Sequence, residues 1–556
     1  MATLMRAETT LSYRHALGLT ALSATLVSLS FVPYNIFPLG FVGLIPLFYL
    51  FEHFVPTKKQ IFWLWLVWIL ILNFIAYHWI MHTIAVYGMM PTFIAFPLFL
   101  LYTLGTGFKM LFFFIFLQWL QRQRIEKNAA GTENADTHRR SIFDTRWKTT
   151  LAVAAAFGFC EIVGWQLFPW YGGNIVSGDL WFAQGADLIG TRGLSVVWAV
   201  LQYLLFLAGK DFFATNKSLL AVVKESRAFH IFAGLFLLFH AYGFIRFQQF
   251  SGAEEKAAKI EIGVPQGNVP LITHPGERSN IISRMVAQTQ RLVADATQAG
   301  RRPDLVVWPE SSIPAMEFER SAELRFAIAD LQRYTNIPII INDIYHDSRT
   351  GKDYSNMWHL DSVGQPLNSY QKNFLLPFGE FMPLGEKFPA LKNLFPAVSD
   401  FSHGEKFSLF NIATKTGIAK AMPLVCYEVI LPDYARDFDT RTNKEAQFII
   451  NITNDAWFGD SVESIQHMTL GVMRAIELRL PIVRSTNSGI SAYIASTGEV
   501  FGETRLFERV NQLYQVPVLE RSKTLFAVVG YIPFYVFLIL VAAYFGFIAY
   551  THRKTK

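Results

Sequence analysis

The chain has 556 residues, of which 52% are hydrophobic, 15% aromatic and only 17% charged, and its mean hydropathy is +0.27. Soluble proteins of this length rarely have such a composition, so membrane-spanning helices are expected. The formal net charge of +6 is modest and concentrated beside the apolar runs. It therefore concerns membrane topology, and it argues against a nucleic-acid-binding role.

Apolar runs long enough to cross a bilayer recur along the chain, and eight of them predict transmembrane helices. They lie near residues 14–32, 36–54, 61–81, 91–119, 148–170, 193–212, 228–247 and 524–550. The fourth run is too long for a simple span and contains Lys109. That lysine marks a tilted or kinked helix, a shorter span, a side chain that reaches the interface, or a functional group within the membrane.

The distribution of lysine and arginine indicates the orientation of these predicted helices. Cationic residues concentrate in every second connection and at both termini, namely before residue 15, at 58–59, over 122–148, over 210–227 and at 553–556. Because cytoplasmic loops carry such an excess, both termini are expected in the cytoplasm and the long segment after the seventh span outside it. The polar loop 128–140 is predicted to be disordered.

Residues from about 255 to 515 differ in character, because charged and polar residues return and short β-rich runs alternate with helical ones. The predicted strands cover 259–263, 304–308, 337–341, 421–425, 447–452 and 481–485, and the predicted helices cover 280–299, 321–333 and 467–478. This alternation predicts an α/β layered domain with its own core. We therefore expect seven spans within 1–250, the α/β domain within 255–515, and one span with a short cytoplasmic tail within 520–556.

Cys426 ends an apolar, strand-like run in this domain and begins the sequence Cys-Tyr-Glu. The carboxyl ends of strands are where α/β sheets place their chemistry. The other cysteine, Cys160, lies in an apolar run and cannot easily reach it. An unpaired thiol outside the cytoplasm is open to oxidation, so its presence suggests that it reacts. A buried structural cysteine is the alternative interpretation.

Two further motifs place ionisable side chains at or near the ends of apolar runs. Glu310 follows Val-Val-Trp-Pro, and Lys372 and Glu380 occur in Lys-Asn-Phe-Leu-Leu-Pro-Phe-Gly-Glu. A thiol with a pKa near 8.5 needs a base or a nearby cation to become a nucleophile at neutral pH. Glu310 can act as that base, and Lys372 can stabilise a thiolate or an oxyanion. Taken singly, Glu310 is better explained as a surface carboxylate or a helix cap and Lys372 as a solvated charge, and only their combination with Cys426 favours a site.

No metal or nucleotide site is expected. His346, His359 and His403 lack metal-ligand spacing, and no glycine-rich phosphate loop occurs, so we predict neither a metal nor a cofactor. His467 lies near a predicted helix start. It receives no catalytic role, because the chemistry already has a base.

Two regions can line a substrate pocket. Asn454, Asp455 and Trp457 follow a predicted strand, although a turn explains Asn-Asp equally well. The run 374–407 is rich in apolar residues but is interrupted by prolines, which discourage long regular elements. We interpret this run as apolar loops that face the bilayer and form a mobile lid, with an irregular core under a cap as the alternative.

Glu, Lys and Cys in this order, within Trp-Pro-Glu, Lys…Pro-Phe-Gly-Glu and Cys-Tyr-Glu, resemble the nitrilase superfamily of carbon–nitrogen hydrolases. With seven predicted spans before the domain and one after it, the chain resembles the apolipoprotein N-acyltransferase family, which completes bacterial lipoprotein maturation. Further matching motifs lie at 168–170, 192–195, 264–268, 454–459, 473–477 and 484–489.

The resemblance implies a fold and a set of site residues. The fold is a polytopic α-helical membrane protein that carries an extracytoplasmic αββα sandwich of the nitrilase type. The implied catalytic residues are Glu310, Lys372 and Cys426, the supporting residues are Glu380, Tyr427 and Glu428, and the substrate-binding residues are Phe378, Asn454 and Trp457. The family often has a tryptophan near 271–275, which reads Leu-Ile-Thr-His-Pro here, so any lid role of that residue requires another aromatic.

The implied reaction is a two-step acyl transfer with ping-pong kinetics. The cysteine attacks a glycerophospholipid ester, typically at the sn-1 position of phosphatidylethanolamine, and forms a thioester. The α-amino group of the diacylglyceryl cysteine of an apolipoprotein then accepts the acyl chain. Water would hydrolyse the thioester, so the site must be dry and close to lipid. The implied location is the bacterial inner membrane with the domain on the periplasmic side, and we expect a monomer that binds no nucleic acid.

Two other functions compete with this interpretation. A membrane-tethered hydrolase of amides or nitriles would use the same three residues, but it gives no reason for eight spans. A transporter or receptor with a ligand-binding outer domain would need polar residues within its spans, and the predicted spans are largely apolar.

Overall fold

The structure is a computed structural model, and it describes residues 11–133, 145–164, 166–215, 219–271, 274–313, 316–395, 398–415, 417–520 and 523–554. Most of the loop predicted to be disordered, and part of the run 271–275, lie outside these residues. The chain divides into two compact units. The first comprises Met1–His78, Pro97–Ile245 and Val529–Lys556, and the second comprises Trp79–Phe96 and Arg246–Val528.

The described elements of the first unit are all helical, and two of its helices extend into the second unit. The α-helices are Tyr13–Ser30, Ile45–His53, Lys58–Ala76, Thr92–Glu133, Arg146–Cys160, Gly172–Ile175, Leu180–Ala183, Ala186–Thr215, Leu219–Glu225, Arg227–Lys256 and Ile532–Lys554, with a 3₁₀ helix at Phe37–Phe41. The helix Ala186–Thr215 is kinked at Gly190, whose φ of 67° is accessible to a glycine without strain.

Within the described ranges, five helices are long and apolar enough to cross a membrane. They are Lys58–Ala76, Thr92–Ile125, Ala186–Phe213, Arg227–Lys256 and Ile532–Thr551. The other three predicted runs form the helix Tyr13–Ser30, the shorter apolar helices within Phe37–His53, and the helix Arg146–Cys160. Several apolar helices are therefore present, while the number of spans and their orientation stay predictions.

Capping and close packing explain how two of these helices are placed. Thr57 accepts a hydrogen bond from the Gln60 amide, and the Gln60 side chain accepts one from the Thr57 amide, which starts the following helix with a capping box. A Cβ atom at Gly107 would lie 2.1 Å from Ile69 Cγ1, and Trp65 Nε1 donates to the Gly107 carbonyl at 2.8 Å. A side chain at position 107 would therefore separate the two helices.

Lys109 lies inside the helical unit and is only 1% exposed. Its Nζ donates to the Trp170 carbonyl at 2.6 Å, lies 3.6 Å from the centroid of that indole ring, and is 3.5 Å from Glu161 Oε2. The other Glu161 oxygen accepts the Gly172 amide at 2.9 Å. These contacts show a buried, paired lysine, and they argue against the expectation that its side chain reaches the interface.

The second unit contains two six-stranded sheets. Its strands are β1 (Lys259–Gln266), β2 (Leu305–Val307), β3 (Ile339–Asp347), β4 (Lys352–Leu360), β5 (Pro366–Gln371), β6 (Phe410–Thr414), β7 (Gly417–Val425), β8 (Phe448–Thr453), β9 (Ile482–Thr486), β10 (Ala492–Ile494), β11 (Val500–Phe501) and β12 (Val510–Pro517). The strand orders are β12-β1-β2-β3-β4-β5 and β11-β10-β9-β8-β7-β6. In each sheet three adjacent strands are parallel, β1–β2–β3 and β7–β8–β9, and the outer strands are antiparallel.

Helices connect the parallel strands, because two parallel strands can be joined only by a long crossover connection. They are Arg278–Gln298 and Ala322–Thr335 in the first sheet, and Pro432–Arg441 and Glu463–Leu478 in the second. Shorter elements of this unit are the α-helices Trp79–Val86, Ala390–Leu394 and Leu525–Val529 and the 3₁₀ helices Pro275–Glu277, Cys426–Ile430 and Asp455–Phe458. The strands and helices predicted in this region are confirmed, whereas the hairpin β4–β5 and strands β6 and β10–β12 were not predicted.

The core of the second unit explains its stability. Helix residues Ile281 and Leu292 pack in one buried cluster with strand residues Val306 and Ile341, all at most 3% exposed. Burying side chains of this kind contributes about 1.5–3 kcal/mol each. Between the sheets, Ser485 Oγ of β9 donates to a carbonyl of β2 at 2.9 Å. The unit is thus an α/β fold with two facing sheets flanked by helices.

The segment Trp79–Phe96 belongs to the second unit although it overlaps the end of the third predicted span and the start of the fourth. The preceding helix ends at Ala76, so Trp79 is outside it. Trp79 Nε1 donates to Gln466 Oε1 at 3.0 Å, and its ring meets the Phe458 ring edge-on at 5.1 Å. The third apolar run, drawn as 61–81, is therefore shorter as a helix than the sequence indicated.

Candidate active site

Three strand ends of the second unit bring Glu310, Lys372 and Cys426 together. Glu310 lies just beyond β2, Lys372 follows β5, and Cys426 follows β7 directly. The Cys426 thiol donates a hydrogen bond to the Glu310 carboxylate. Lys372 Nζ lies 3.6 Å from Glu310 Oε1. The structure therefore brings the three predicted side chains together around Glu310, an arrangement that a nucleophile, a base and a cation require.

These groups are buried, and burial sets their protonation. Burial, together with the charge of Glu380, raises the pKa of Glu310 to about 7 against the opposing effect of Lys372. Burial and the carboxylate of Glu310 raise the pKa of the Cys426 thiol well above its usual range, although Lys372 opposes them. The thiol is thus protonated at neutral pH, and a base is needed to produce the nucleophile.

Lys372 remains a cation in this site. Burial alone would lower its pKa, but the carboxylates of Glu380 and Glu310 outweigh burial and raise it. Lys372 Nζ donates to Glu380 Oε1 at 2.6 Å, and the other Glu380 oxygen accepts the Leu376 amide at 2.7 Å. Glu380 therefore fixes the ammonium group in position, while its supporting role in catalysis stays a prediction.

The backbone at Cys426 is strained. Its φ is +50°, in the left-handed region that non-glycine residues rarely occupy. Such a conformation costs about 1–3 kcal/mol and persists only where neighbouring contacts hold it. It starts the 3₁₀ helix Cys426–Ile430 and turns the chain sharply after β7. Strain of this kind is typical of a position where the placement of the side chain, here the thiol, matters more than local stability.

Glu428 joins the cysteine turn to the lysine strand. One carboxylate oxygen accepts the Val425 amide at 2.8 Å. The other accepts the amides of Asn373 and Phe374, at 2.8 and 2.9 Å, and the Tyr370 hydroxyl at 2.7 Å. Val425 precedes Cys426 and Asn373 follows Lys372. By accepting both of these amides, the Glu428 carboxylate holds the nucleophile and the cation in fixed relative positions.

The Trp-Pro-Glu strand end is held by its own contacts. Trp308 is fully buried, and its Nε1 donates to Thr289 Oγ1 at 2.9 Å. Ser311, the next residue after Glu310, has a φ of +57°, and its amide donates to Asn342 Oδ1 at 3.1 Å. The backbone amide of Asn454 donates to the Glu310 carboxylate. The base is therefore fixed from both sides.

The remaining predicted residues differ in exposure. Asn454 is fully buried, and its side chain caps the 3₁₀ helix Asp455–Phe458 by accepting the Ala456 amide at 3.2 Å, as the turn interpretation expects. Its substrate-binding role stays a prediction. Tyr427 is buried, with its ring 6.1 Å from that of Phe374. Phe378 and Trp457, by contrast, are 48% and 38% exposed. These two are available for an apolar ligand.

The run 374–407 is largely irregular, as its prolines indicated. Its one described helix is Ala390–Leu394, and Pro396 lies outside the described residues. Phe378 and Leu384 have positive φ values of 64° and 62°, and both are exposed, as are Phe374 and Phe388. A row of exposed apolar residues next to buried reactive groups is typical of a surface that contacts lipid or another apolar partner. Motion of this run as a lid stays a prediction.

A second buried polar group, missed by sequence reasoning, lies directly behind the nucleophile. His467 Nε2 is 3.3 Å from the Cys426 carbonyl oxygen, and its Nδ1 is 3.0 Å from Asp455 Oδ1. Asp455 also accepts Arg484 Nη2 at 2.7 Å. Three separate elements supply these residues, so their spacing along the chain gave no signal. Of these residues, Asp455 and Arg484 lie in the motifs 454–459 and 484–489 that the sequence analysis had noted.

One group in the described part of the chain has donor atoms close enough for a cation. The ligand atoms of Asp455, Glu463 and His467 lie within 4.8 Å of one another. The guanidinium of Arg484 already neutralises Asp455 there, so the group balances its charge without an ion. The absence of a metal stays a prediction.

Comparison with known families matches both parts of the chain. The family model described as "Apolipoprotein N-acyltransferase N-terminal domain" matches residues 23–204, and the one described as "Carbon-nitrogen hydrolase" matches residues 271–514. The second match covers the unit that holds Glu310, Lys372 and Cys426.

Three similar proteins carry the name apolipoprotein N-acyltransferase. One of the two from Leptospira interrogans, numbered 2, is 28% identical, over 86% of this chain and 86% of its own length. That of Bdellovibrio bacteriovorus is 28% identical, over 94% of this chain and 92% of its own. That of Haemophilus influenzae is 28% identical, over 70% of this chain and 72% of its own.

Solved structures of the nitrilase superfamily resemble the second unit at low identity. An amidase from Nesterenkonia is 20% identical over 47% of this chain and 92% of that chain, with a TM-score of 0.34. A Saccharomyces cerevisiae member is 15% identical over 50% of this chain and 94% of that chain, with a TM-score of 0.36.

Proposed function

Since the chain belongs to the apolipoprotein N-acyltransferase family, we propose that it transfers a fatty acyl chain from a glycerophospholipid, through a thioester on Cys426, to the α-amino group of an apolipoprotein. The relatives' shared name supports lipoprotein N-acylation, and the apolar helices support a multi-pass bacterial membrane protein. The observation that carries the mechanism is the buried contact of Cys426 with Glu310 beside Lys372.

In the first step the Cys426 thiol gives its proton to the Glu310 carboxylate, and the sulfur attacks the ester carbonyl of the lipid, at sn-1 of phosphatidylethanolamine. Lys372 stabilises the oxyanion, because it is a cation held in a water-poor site. The tetrahedral intermediate collapses as its carbon–oxygen ester bond breaks. Glu310 then returns its proton to the leaving oxygen, so that a lysophospholipid leaves and a thioester remains.

In the second step the neutral α-amino group of the diacylglyceryl cysteine attacks the thioester carbonyl. Glu310 accepts a proton from the nitrogen as the carbon–nitrogen bond forms, and the carbon–sulfur bond then breaks. The same proton returns to the sulfur, which restores the thiol and leaves an amide-linked third acyl chain. The kinetics are ping-pong, because the first product leaves before the second substrate reacts.

The remaining sequence predictions form part of this proposal. Seven spans precede the catalytic domain and one follows it, both termini are cytoplasmic, and the domain lies on the periplasmic side of the inner membrane. Phe378 and Trp457 contact acyl chains, a role that their exposed rings support. Asn454 lines the pocket, and the chain acts as a monomer without cofactor.

Amide hydrolysis is the second candidate function, because the carbon–nitrogen hydrolase match covers the catalytic unit. Both functions use an acyl-enzyme on Cys426, and they differ in the acyl donor and in the acceptor. A hydrolase would take a soluble amide and pass the acyl group to water. An acyltransferase would take a phospholipid and hold the thioester until an amine arrives.

The test is the intact mass of the purified protein after exposure to phosphatidylethanolamine. We expect the mass of one fatty acyl group to be added and to be removed by hydroxylamine, which cleaves thioesters. Cys426→Ser should gain no such adduct, while Cys160→Ala should gain it in full, because Cys160 is buried in the other unit. Acylation that persists in Cys426→Ser, or none on the unaltered protein, would contradict the proposal.

A further inference from the structure

A buried polar cluster contacts the backbone carbonyl of the nucleophile. Its members are His467, Asp455, Glu463 and Arg484, each at most 3% exposed. Arg484 is anchored by Asn451 Oδ1, which accepts its Nη1 at 2.9 Å. Four buried ionisable side chains are costly to desolvate, so their presence next to the reactive residue calls for a reason other than stability.

The hydrogen-bond geometry fixes one ring proton of His467. The carbonyl oxygen of Cys426 can only accept, and it lies 3.3 Å from His467 Nε2, so Nε2 carries a hydrogen. Nδ1 faces Asp455 Oδ1 at 3.0 Å and Glu463 Oε1 at 3.5 Å. Both oxygens of Glu463 are buried without a hydrogen-bond partner.

When one proton lies on either His467 Nδ1 or Glu463, the charges of these two side chains sum to zero. Arg484 neutralises Asp455, so the cluster as a whole carries no net charge. Burial lowers the pKa of His467, and its hydrogen bonds with Asp455 and the Cys426 carbonyl oppose that shift because they favour the protonated ring. Burial raises the pKa of Glu463. In either arrangement the Nε2 hydrogen still points to the Cys426 carbonyl.

The bonded carbonyl belongs to the strained residue itself. The left-handed φ of Cys426 needs external contacts to persist. The helix Glu463–Leu478 supplies them at both ends of the 3₁₀ helix Cys426–Ile430, because His467 bonds the Cys426 carbonyl and Arg474 Nη1 donates to the Ile430 carbonyl at 3.2 Å. The peptide plane after the cysteine is thereby fixed, and with it the direction of the thiol.

We propose that His467 is a positioning residue for the acyl transfer, which holds the carbonyl of Cys426 through its Nε2 hydrogen and so keeps the thiol on Glu310. Asp455 and Arg484 orient the imidazole ring. This inference rests on the proposed function for its biological meaning, but its geometry can be tested on the thiol alone. It adds to the Glu310–Lys372–Cys426 set a residue that touches neither substrate nor reacting atoms.

The test compares three substitutions in a Cys160→Ala background, which leaves one thiol in the chain. His467→Gln can place a donor near the position of Nε2, His467→Asn places one only toward Asp455, and His467→Leu places none. The full-length protein is alkylated with iodoacetamide at several pH values, and the rate is followed by intact mass. Thermal denaturation checks that each variant is folded.

In the background protein, the alkylation rate should rise with pH through an inflection near the Glu310 pKa of about 7. We expect the glutamine variant to keep this profile. The asparagine and leucine variants should react about 10–100-fold more slowly at neutral pH, with the inflection moved to higher pH, because a displaced thiol loses its base. If the leucine variant does not fold, the glutamine–asparagine pair makes the same comparison.

Equal rates and profiles in folded glutamine, asparagine and leucine variants would overturn the inference, since a merely structural histidine would not move the profile. A glutamine variant as slow as asparagine would also overturn it, because the carbonyl bond would then not be the relevant contact. Failure of the proposed function would appear differently. The unaltered protein would gain no acyl group from phosphatidylethanolamine, while the alkylation profiles still separated.

Discussion

Among the residues that the structure describes, each of the two units has one buried lysine, and the two lysines have different neighbours. In the helical unit, Lys109 is surrounded by a carbonyl, an indole face and the carboxylate of Glu161. In the α/β unit, Lys372 faces two carboxylates and a thiol that is bonded to one of them. The first arrangement neutralises a charge. The second leaves a proton that can move between sulfur and oxygen, and this is what distinguishes a reactive cluster from a stabilising one.

The largest expected effect is the loss of Lys372. Lys372→Met should lower the rate of acyl-enzyme formation by about 10²–10³-fold, because the oxyanion loses its cation. It should also destabilise the fold by about 3–5 kcal/mol, since two buried carboxylates lose their partner. The measurements are single-turnover acylation from phosphatidylethanolamine and denaturant unfolding.

Lys109→Met is the matched control for that substitution. It should cost a similar free energy of unfolding, because Glu161 then loses its cation, yet each folded molecule should still acylate at the unaltered rate. A rate loss as large as that of Lys372→Met would remove the distinction between the two lysines.

The second prediction concerns the base. Because Glu310 must be ionised to accept the thiol proton and its pKa is raised to about 7, kcat/KM should rise with pH and level off above that value. Between pH 5 and pH 8 the ionised fraction grows roughly 100-fold, by the titration of one group. Glu310→Gln should lower kcat/KM by about 10²-fold or more and abolish this inflection. An unchanged profile in that variant would assign the titration to another group.

The third prediction sharpens the role of Glu380. Its charge helps to raise the pKa of Glu310, so Glu380→Gln should move the inflection of kcat/KM to lower pH. Loss of the 2.6 Å contact with Lys372 should also lower kcat about tenfold, through misplacement of the ammonium group. A shift of the inflection to higher pH would contradict the electrostatic account. Glu386→Gln, a nearby carboxylate change in the same irregular run, serves as the control.

The smallest expected effect concerns the exposed aromatic rim. The rings of Trp457 and Tyr87 meet at 5.8 Å, a pair that contributes about 0.5–1.5 kcal/mol. Trp457→Ala should lose that amount and raise KM for phospholipid about threefold with little change in kcat, as expected for lost ground-state binding. Tyr87→Ala should lose the same stability but leave KM unchanged. Equal KM changes in both variants would mean that the ring pair, rather than Trp457 itself, forms the lipid contact.

Sequence reasoning singled out Glu310, Lys372 and Cys426 because each lies in a short motif at or near a strand end. The three residues follow β2, β5 and β7, which belong to two different sheets, so the sequence indicated each strand end but only the fold shows that the ends meet. The same reasoning passed over His467. Its partners come from a turn, a strand and the cysteine itself, and only the folded sheet brings them within hydrogen-bond distance.

The boundaries of the units were harder to predict for a physical reason. Hydropathy registers apolar residues whether they face lipid or another protein surface, so Trp79 was grouped with the third apolar run. Its indole Nε1 donates a hydrogen bond to the Gln466 side chain, at a sequence separation of 387 residues. The role of Lys109 was ambiguous from the sequence because its partner, Glu161, lies on a different segment of the chain.

The contacts of Trp79 have a practical consequence for anyone who wishes to prepare the α/β unit as a soluble fragment. A contiguous piece cut at residues 246 and 528 would lack Trp79–Phe96, and the Gln466 amide and the Phe458 ring would lose their cover. Phe458 closes the turn that contains Asp455, so the defect would open beside the cluster that supports the cysteine. A fragment that also encodes this detour, rejoined by a short linker, is the better starting point for crystallisation.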